Sequence, residues 1–137
     1  MVHDKIAQLE EPLARAEGLT PLQMRALFAV QYRGALTIKE LCHDTDMGQA
    51  NASTFCKKLE QAGFLKRERD AEDERRVHLS LTGKGEAATE AFWHHMREYD
   101  ARAGALSEER QRQILRGLAA LNSTLTDMLE QIKSLEE

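Results

Sequence analysis

The chain has 137 residues, 42% of them apolar and 31% charged, with a net charge of −4. Two prolines and eight glycines leave few breaks, a composition that excludes disordered and collagenous classes and favours a folded, helix-rich protein. No apolar stretch reaches the ~18 residues of a membrane span, residues 1–10 lack a signal-peptide core, and two cysteines cannot build a disulfide framework; the expectation is a cytoplasmic protein with no membrane partner.

Val2, Ile6, Leu9, Leu13 and Ala16 follow 4-3-4-3 spacing, which predicts an amphipathic first helix ended by Gly18. Thr20-Pro21-Leu22-Gln23 combines a threonine N-cap, proline at the first helical position and glutamine three residues past the cap. The second helix it opens has Met24, Leu27 and Phe28 inward and stops near Gly34. Thr37-Ile38-Lys39-Glu40 is another capping box, opening a short helix with Ile38, Leu41 and Cys42 on its inner face. After a break at Asp46-Met47-Gly48, a fourth helix over 49–62 places Ala52, Phe55, Cys56 and Leu59 inward, and Gly63 sits where a left-handed C-cap belongs. The period then changes: 64–69 and 77–81 read as two short strands joined by the charged turn Asp70 to Arg75. Thr82 caps a helix running to about Ala103, Gly104 breaks it, and Ser107 caps the last helix. In that helix Ile114, Leu118, Leu121, Leu125, Met128, Ile132 and Leu135 form a sustained heptad seam.

This order, with a two-stranded hairpin after a short helix and a longer one, is a helix-turn-helix followed by a wing, and the fold class is mainly α with a small β-hairpin wing. The predicted divisions are 1–18 as an N-terminal dimerisation helix, 19–85 as the winged helix-turn-helix and 86–137 as C-terminal dimerisation helices. The second helix of the pair would enter a major groove. Its outer face is Gln49, Asn51, Ser53, Thr54, Lys57 and Lys58, residues able to pair with base edges or phosphate, and no acid lies between Gln49 and Lys58. The acidic total weighs against nucleic acid, yet residues 57–84 carry 8 basic against 6 acidic side chains, and local placement of cations decides DNA binding. Two long terminal apolar seams predict an isologous homodimer, which would set two reading helices about one DNA turn apart.

The run Leu19 to Gly85 resembles the MarR family of winged helix-turn-helix regulators. The likeness rests on Leu19-Thr20-Pro21-x-Gln23, Leu36-Thr37-x-x-Glu40-Leu41 and Leu59-Glu60-x-x-Gly63-Phe64-Leu65-x-Arg67, and most on Asp73-x-Arg75 followed by Leu81-Thr82-x-x-Gly85. It implies a transcriptional regulator, most often a repressor, that binds a pseudo-palindromic double-stranded operator. It further implies that Arg75 enters the minor groove, that Asp73 orients its guanidinium and that Thr37 meets phosphate, with Arg76 as a second cation. The acids Asp70, Glu72, Asp73 and Glu74 would repel phosphate unless paired with Arg69, Arg75 and Arg76.

Phe92, Trp93, Met96 and Tyr99 are candidates to line a cavity for a small aromatic or phenolic effector, as the resemblance implies; core packing is the competing reading. Cys56 and Cys42 are candidate redox sensors, although both lie at core positions, where a thiol is ordinary filler. His94 and His95 point about 100° apart on a helix, so no metal site is expected, and no cofactor or catalytic motif stands out. The chain is therefore not expected to be an enzyme. The alternatives to an effector-responsive repressor are a cysteine-based redox regulator and a winged-helix protein-interaction module.

Overall fold

The computed structural model describes all residues except Asp46, Glu74, Ala105 and Glu137. In chain order the elements are α1 (Val2–Ala16), α2 (Pro21–Arg33), β1 (Leu36–Thr37), α3 (Ile38–Thr45), α4 (Gln49–Gln61), β2 (Leu65–Arg69), β3 (Val77–Leu81), α5 (Gly83–Ala103) and α6 (Glu108–Glu136). The helix starts follow from side-chain caps. Thr20 Oγ1 accepts the Gln23 N–H at 3.2 Å while Gln23 Oε1 accepts the Thr20 N–H at 2.9 Å, so both ends of the box are closed. Thr82 Oγ1 accepts the Gly85 N–H at 3.1 Å, and Ser107 Oγ the Arg110 N–H at 3.4 Å. Pro12 lies inside α1 and removes one backbone donor without ending the helix. Of the predicted break at 46–48, Asp46 is outside the described residues; Met47 donates its N–H to the Cys42 carbonyl at 3.0 Å and Gly48 is the N-cap of α4.

The sheet has three strands, ordered β1-β3-β2 and antiparallel throughout. The sequence reading provides only β2 and β3. Leu36–Thr37 adds the third because Leu36 stands opposite Leu79 and Thr37 opposite His78, which pairs the far edge of β3. β2 and β3 run in register from Leu65 opposite Leu81 to Arg69 opposite Val77.

Residues 1–97 form one compact unit and 98–137 a second. The first has a single core of Met24, Leu27 and Val30 from α2, Leu41 from α3, Cys56 and Leu59 from α4, and Leu36, Leu65 and Leu79 from the sheet. Leu13 and Ala14 of α1 and Ala88 and Phe92 of α5 are buried in the same core, so this unit extends beyond residues 19–85 at both ends. The first two turns of α1 are different: Val2, Ile6 and Leu9 are about half exposed or more. In the second unit, the seven α6 seam residues are 45% to 85% exposed, and Leu115 and Leu129 widen the stripe.

Candidate nucleic-acid interface

The reading helix α4 is held by one face. Ala52, Cys56 and Leu59 are buried and Phe55 packs against the core, which turns Gln49, Asn51, Ser53, Thr54, Lys57 and Lys58 outward, all of them exposed. Its first turn carries no acid, and its N-cap, Gly48, offers no side chain to close it. The far end of the helix stops at Ala62, and Gly63 follows at φ 82°, a left-handed conformation that glycine adopts without strain.

The wing tip is braced by its own acids. Asp70 Oδ1 accepts the backbone N–H of Glu72 at 2.8 Å and of Asp73 at 3.4 Å, while Asp70 Oδ2 lies 2.8 Å from His78 Nε2. The Glu72 N–H and the His78 ring together hold the Asp70 carboxyl below the usual carboxylate range. Asp73 Oδ1 accepts the Arg75 backbone N–H at 3.0 Å, and its Oδ2 faces Arg76 Nε at 3.8 Å. Asp73 therefore fixes the Arg75 backbone and partners Arg76; the expected contact with the Arg75 guanidinium is not what its carboxylate makes here. Among the described residues no carboxylate pairs with the Arg75 side chain, which is exposed. Two of the four wing acids are thus engaged in shaping the turn, and Glu74 lies outside the described residues.

Between α3, the start of α4 and the wing lies an open cleft of about 1060 Å³ whose walls include Arg33, Lys39, His43, Gln49, Arg75 and Arg76. Lys39 and His43 were not singled out by sequence, because an exposed polar side chain on a short helix carries no local signature; only the fold brings them beside the wing. Arg33 is tied to Asp44 at 2.9 Å. Thr37 also borders this cleft, yet its hydroxyl donates to Glu40 Oε2 at 2.9 Å and accepts the Glu40 N–H at 3.3 Å, and Glu40 Oε2 takes the Thr37 N–H at 2.7 Å. These bonds from Thr37 lower the Glu40 pKa below its ordinary value. A carboxylate therefore stands at the start of α3, where phosphate was expected to meet Thr37.

The chain and its fold are similar to those of known proteins. A family model described as MarR family matches residues 17–76. The HTH-type transcriptional regulator FarR of Neisseria gonorrhoeae is 28% identical over 119 residues, covering 86% of this chain and 81% of FarR. Over residues 17–76 the chain is similar to the MarR family. Among solved structures, NadR in complex with 4-hydroxyphenylacetate superposes with a TM-score of 0.72 at 25% identity, covering 88% of this chain and 86% of NadR. A mutant of S. aureus MepR bound to an oligodeoxyribonucleotide gives 0.68 at 24% identity, covering 91% and 93% of the two chains. The relatives that this chain resembles are transcriptional regulators, not enzymes.

The remaining candidates are scattered. Phe92 is buried and packs edge-on against Phe28 at 5.1 Å between ring centroids, and Met96 packs at the margin of the same core. Trp93, in contrast, is 46% exposed and lines a groove of about 600 Å³ with Val30, Gln31, Leu81, Glu86, Glu90 and Arg97. Tyr99, half exposed, belongs to the second unit. Cys42 and Cys56 are buried, and burial pushes the Cys56 thiol up to about 11, so at neutral pH it is a protonated, shielded group with little nucleophilic character. Among the described residues no three His, Cys, Asp or Glu side chains cluster as metal ligands, and no helix is long and apolar enough to cross a membrane.

Proposed function

We propose that this protein is a homodimeric regulator that binds a pseudo-palindromic DNA operator, represses transcription from it and acts in the cytoplasm. The observation that carries the reading is the exposed face of α4. Gln49, Asn51, Ser53 and Thr54 supply donors and acceptors for base edges, Lys57 and Lys58 supply cations for phosphate, and the wing sets Arg75 and Arg76 on the far side of the adjoining cleft. An exposed arginine suits a narrow A·T-rich minor groove, where negative potential is concentrated. Lys39 joins the proposed phosphate contacts. MepR, bound to an oligodeoxyribonucleotide, supports the same reading by likeness of fold.

Dimerisation is supported by the exposed seams. A 29-residue helix such as α6 is about 43 Å long, and a stripe of leucine and isoleucine of that length is stable in water only when covered. A second copy, with its own α1 and α6 stripes, supplies an equivalent surface and closes the assembly around a two-fold axis.

The test is binding to duplexes selected from a random-sequence library, titrated at several salt concentrations. DNA recognition through phosphate predicts a log–log slope of several units. A flat dependence, or failure to select any duplex, contradicts the reading and favours a protein-interaction module.

For an effector, Trp93 is the supporting observation. It is the chain's single tryptophan and its ring borders an open groove that also holds Arg97, a cation suited to an aromatic acid of the kind NadR binds. Titration with 4-hydroxyphenylacetate should quench Trp93 fluorescence saturably and lower duplex affinity in parallel; an unchanged spectrum and unchanged affinity would contradict an effector of this class at this groove.

A further inference from the structure

The end of the reading helix is fastened to the start of α5 by a set of contacts that the DNA-facing residues do not explain. Lys84 Nζ donates to the carbonyl of Ala62, the C-cap residue of α4, at 2.7 Å. The same ammonium sits 4.3 Å from the centroid of the Phe64 ring, and Phe64 is buried. Thr82 Oγ1 donates to the Gly63 carbonyl, and the Thr82 N–H donates to the Phe64 carbonyl at 3.1 Å. Gly85 completes the seat, since a Cβ there would fall 2.2 Å from the Phe64 oxygen. Three consecutive residues, Ala62, Gly63 and Phe64, are thus each held by side-chain or backbone groups of the first turn of α5.

The physical character of these bonds differs from that of the core. The inner face of α4 rests on apolar contacts, which are non-directional and allow small rotations and slides. The 62–64 clasp is directional: three donors aimed at three carbonyls, one of them a charged donor at the negative end of the α4 dipole. A recognition helix that pairs Gln49 or Asn51 bidentately with a base needs its orientation fixed to within fractions of an ångström. We infer that Lys84 is a positioning residue for sequence recognition, setting the pitch of α4 through Ala62 and Phe64 without touching DNA itself. The inference rests on the DNA-binding reading above.

The test compares the full-length wild type with Lys84→Met, which keeps most of the aliphatic stem and loses the donor and charge, and with Lys84→Arg, which keeps both. Each is titrated with the duplex best selected by the wild type and with a length-matched scrambled duplex, over a range of salt. Positioning predicts that Lys84→Met loses roughly three- to tenfold on the selected duplex, stays within about twofold on the scrambled one, keeps the wild-type salt slope, and is rescued by Lys84→Arg. A salt slope lower by about one would show Lys84 to be a phosphate contact and overturn the inference, as would equal losses on both duplexes or no loss on either. A wild type that selects no duplex removes the DNA-binding reading and this role with it, an outcome distinct from a selective wild type beside an equally selective Lys84→Met.

Discussion

Gly85→Ala puts a single methyl group against the clasp between α4 and α5. The added Cβ would stand 2.2 Å from the Phe64 oxygen, 3.2 Å from its carbonyl carbon and 3.3 Å from Leu81 Cδ2, where ordinary contact begins at 3.4 Å. The oxygen belongs to backbone and cannot rotate aside, so α5 and the 63–64 turn must separate by about 1 Å, with strain of about 1–3 kcal/mol. That movement stretches the Thr82 N–H bond to the same oxygen, now 3.1 Å, and losing it adds about 1 kcal/mol. The expected destabilisation is about 2–4 kcal/mol, or roughly 8–16 °C in Tm for a chain of this length. Gly83→Ala is the control. It changes the same residue type two positions away, has nothing within 4 Å of its Cβ and should raise stability by up to about 1 kcal/mol through helix propensity. Both are read by circular dichroism melts at one fixed protein concentration, because association shifts Tm. If Gly85→Ala melts with the wild type, the close approach of Phe64 to α5 is wrong, and with it the account of why glycine stands there.

Three further outcomes are expected. Arg75→Ala should weaken binding to the selected duplex by about 1–3 kcal/mol with no change in melting temperature, since the side chain is exposed and pairs with no described carboxylate; unaltered affinity would remove the wing from the interface. Asp70→Ala should speed amide hydrogen exchange at Glu72 and Asp73, whose N–H groups it accepts. Because the Asp70 carboxyl ionises below its ordinary value, its brace is present at neutral pH and is lost as pH falls through that lowered value, so wild-type exchange at these amides, corrected for intrinsic rates, should approach the variant's only in acid. Cys56, buried with its thiol raised to about 11, should resist alkylation in the native state at pH 7, and DNA binding should withstand peroxide. Its contribution to stability is full below the ordinary thiol value and fades as pH climbs toward 11; rapid native-state labelling at pH 7 would contradict this assignment.

The fold was legible in sequence wherever a local rule governs a local shape. The Thr20-Pro21-x-Gln23 box, Gly63 at the end of α4, and Thr82 at the start of α5 each state their role within four residues. β1 was not legible, because two residues carry no alternation and Leu36 becomes a strand only when Leu79 arrives beside it. The outer face of α4 could be read from periodicity, since one face of a helix is buried and the other follows by subtraction. The Thr37–Glu40 capping box was likewise legible and forms. The partners of the wing's polar side chains could not be read, because whether Asp73 turns to a guanidinium or to a backbone N–H depends on the curl of the wing tip. The aromatic run at 92–99 shows the same limit: adjacent residues Phe92 and Trp93 diverge, one into the core and one onto a groove wall.

The central claim is that two copies of α4, each with its wing, engage one duplex together. Hydroxyl-radical footprinting on the selected duplex tests it directly. The account predicts two symmetry-related protected patches with centres about one helical turn, ~10 bp, or a whole multiple of it apart, flanked by minor-groove protection that disappears in Arg75→Ala. One unpaired patch, or protection spread evenly with no dyad, would contradict it.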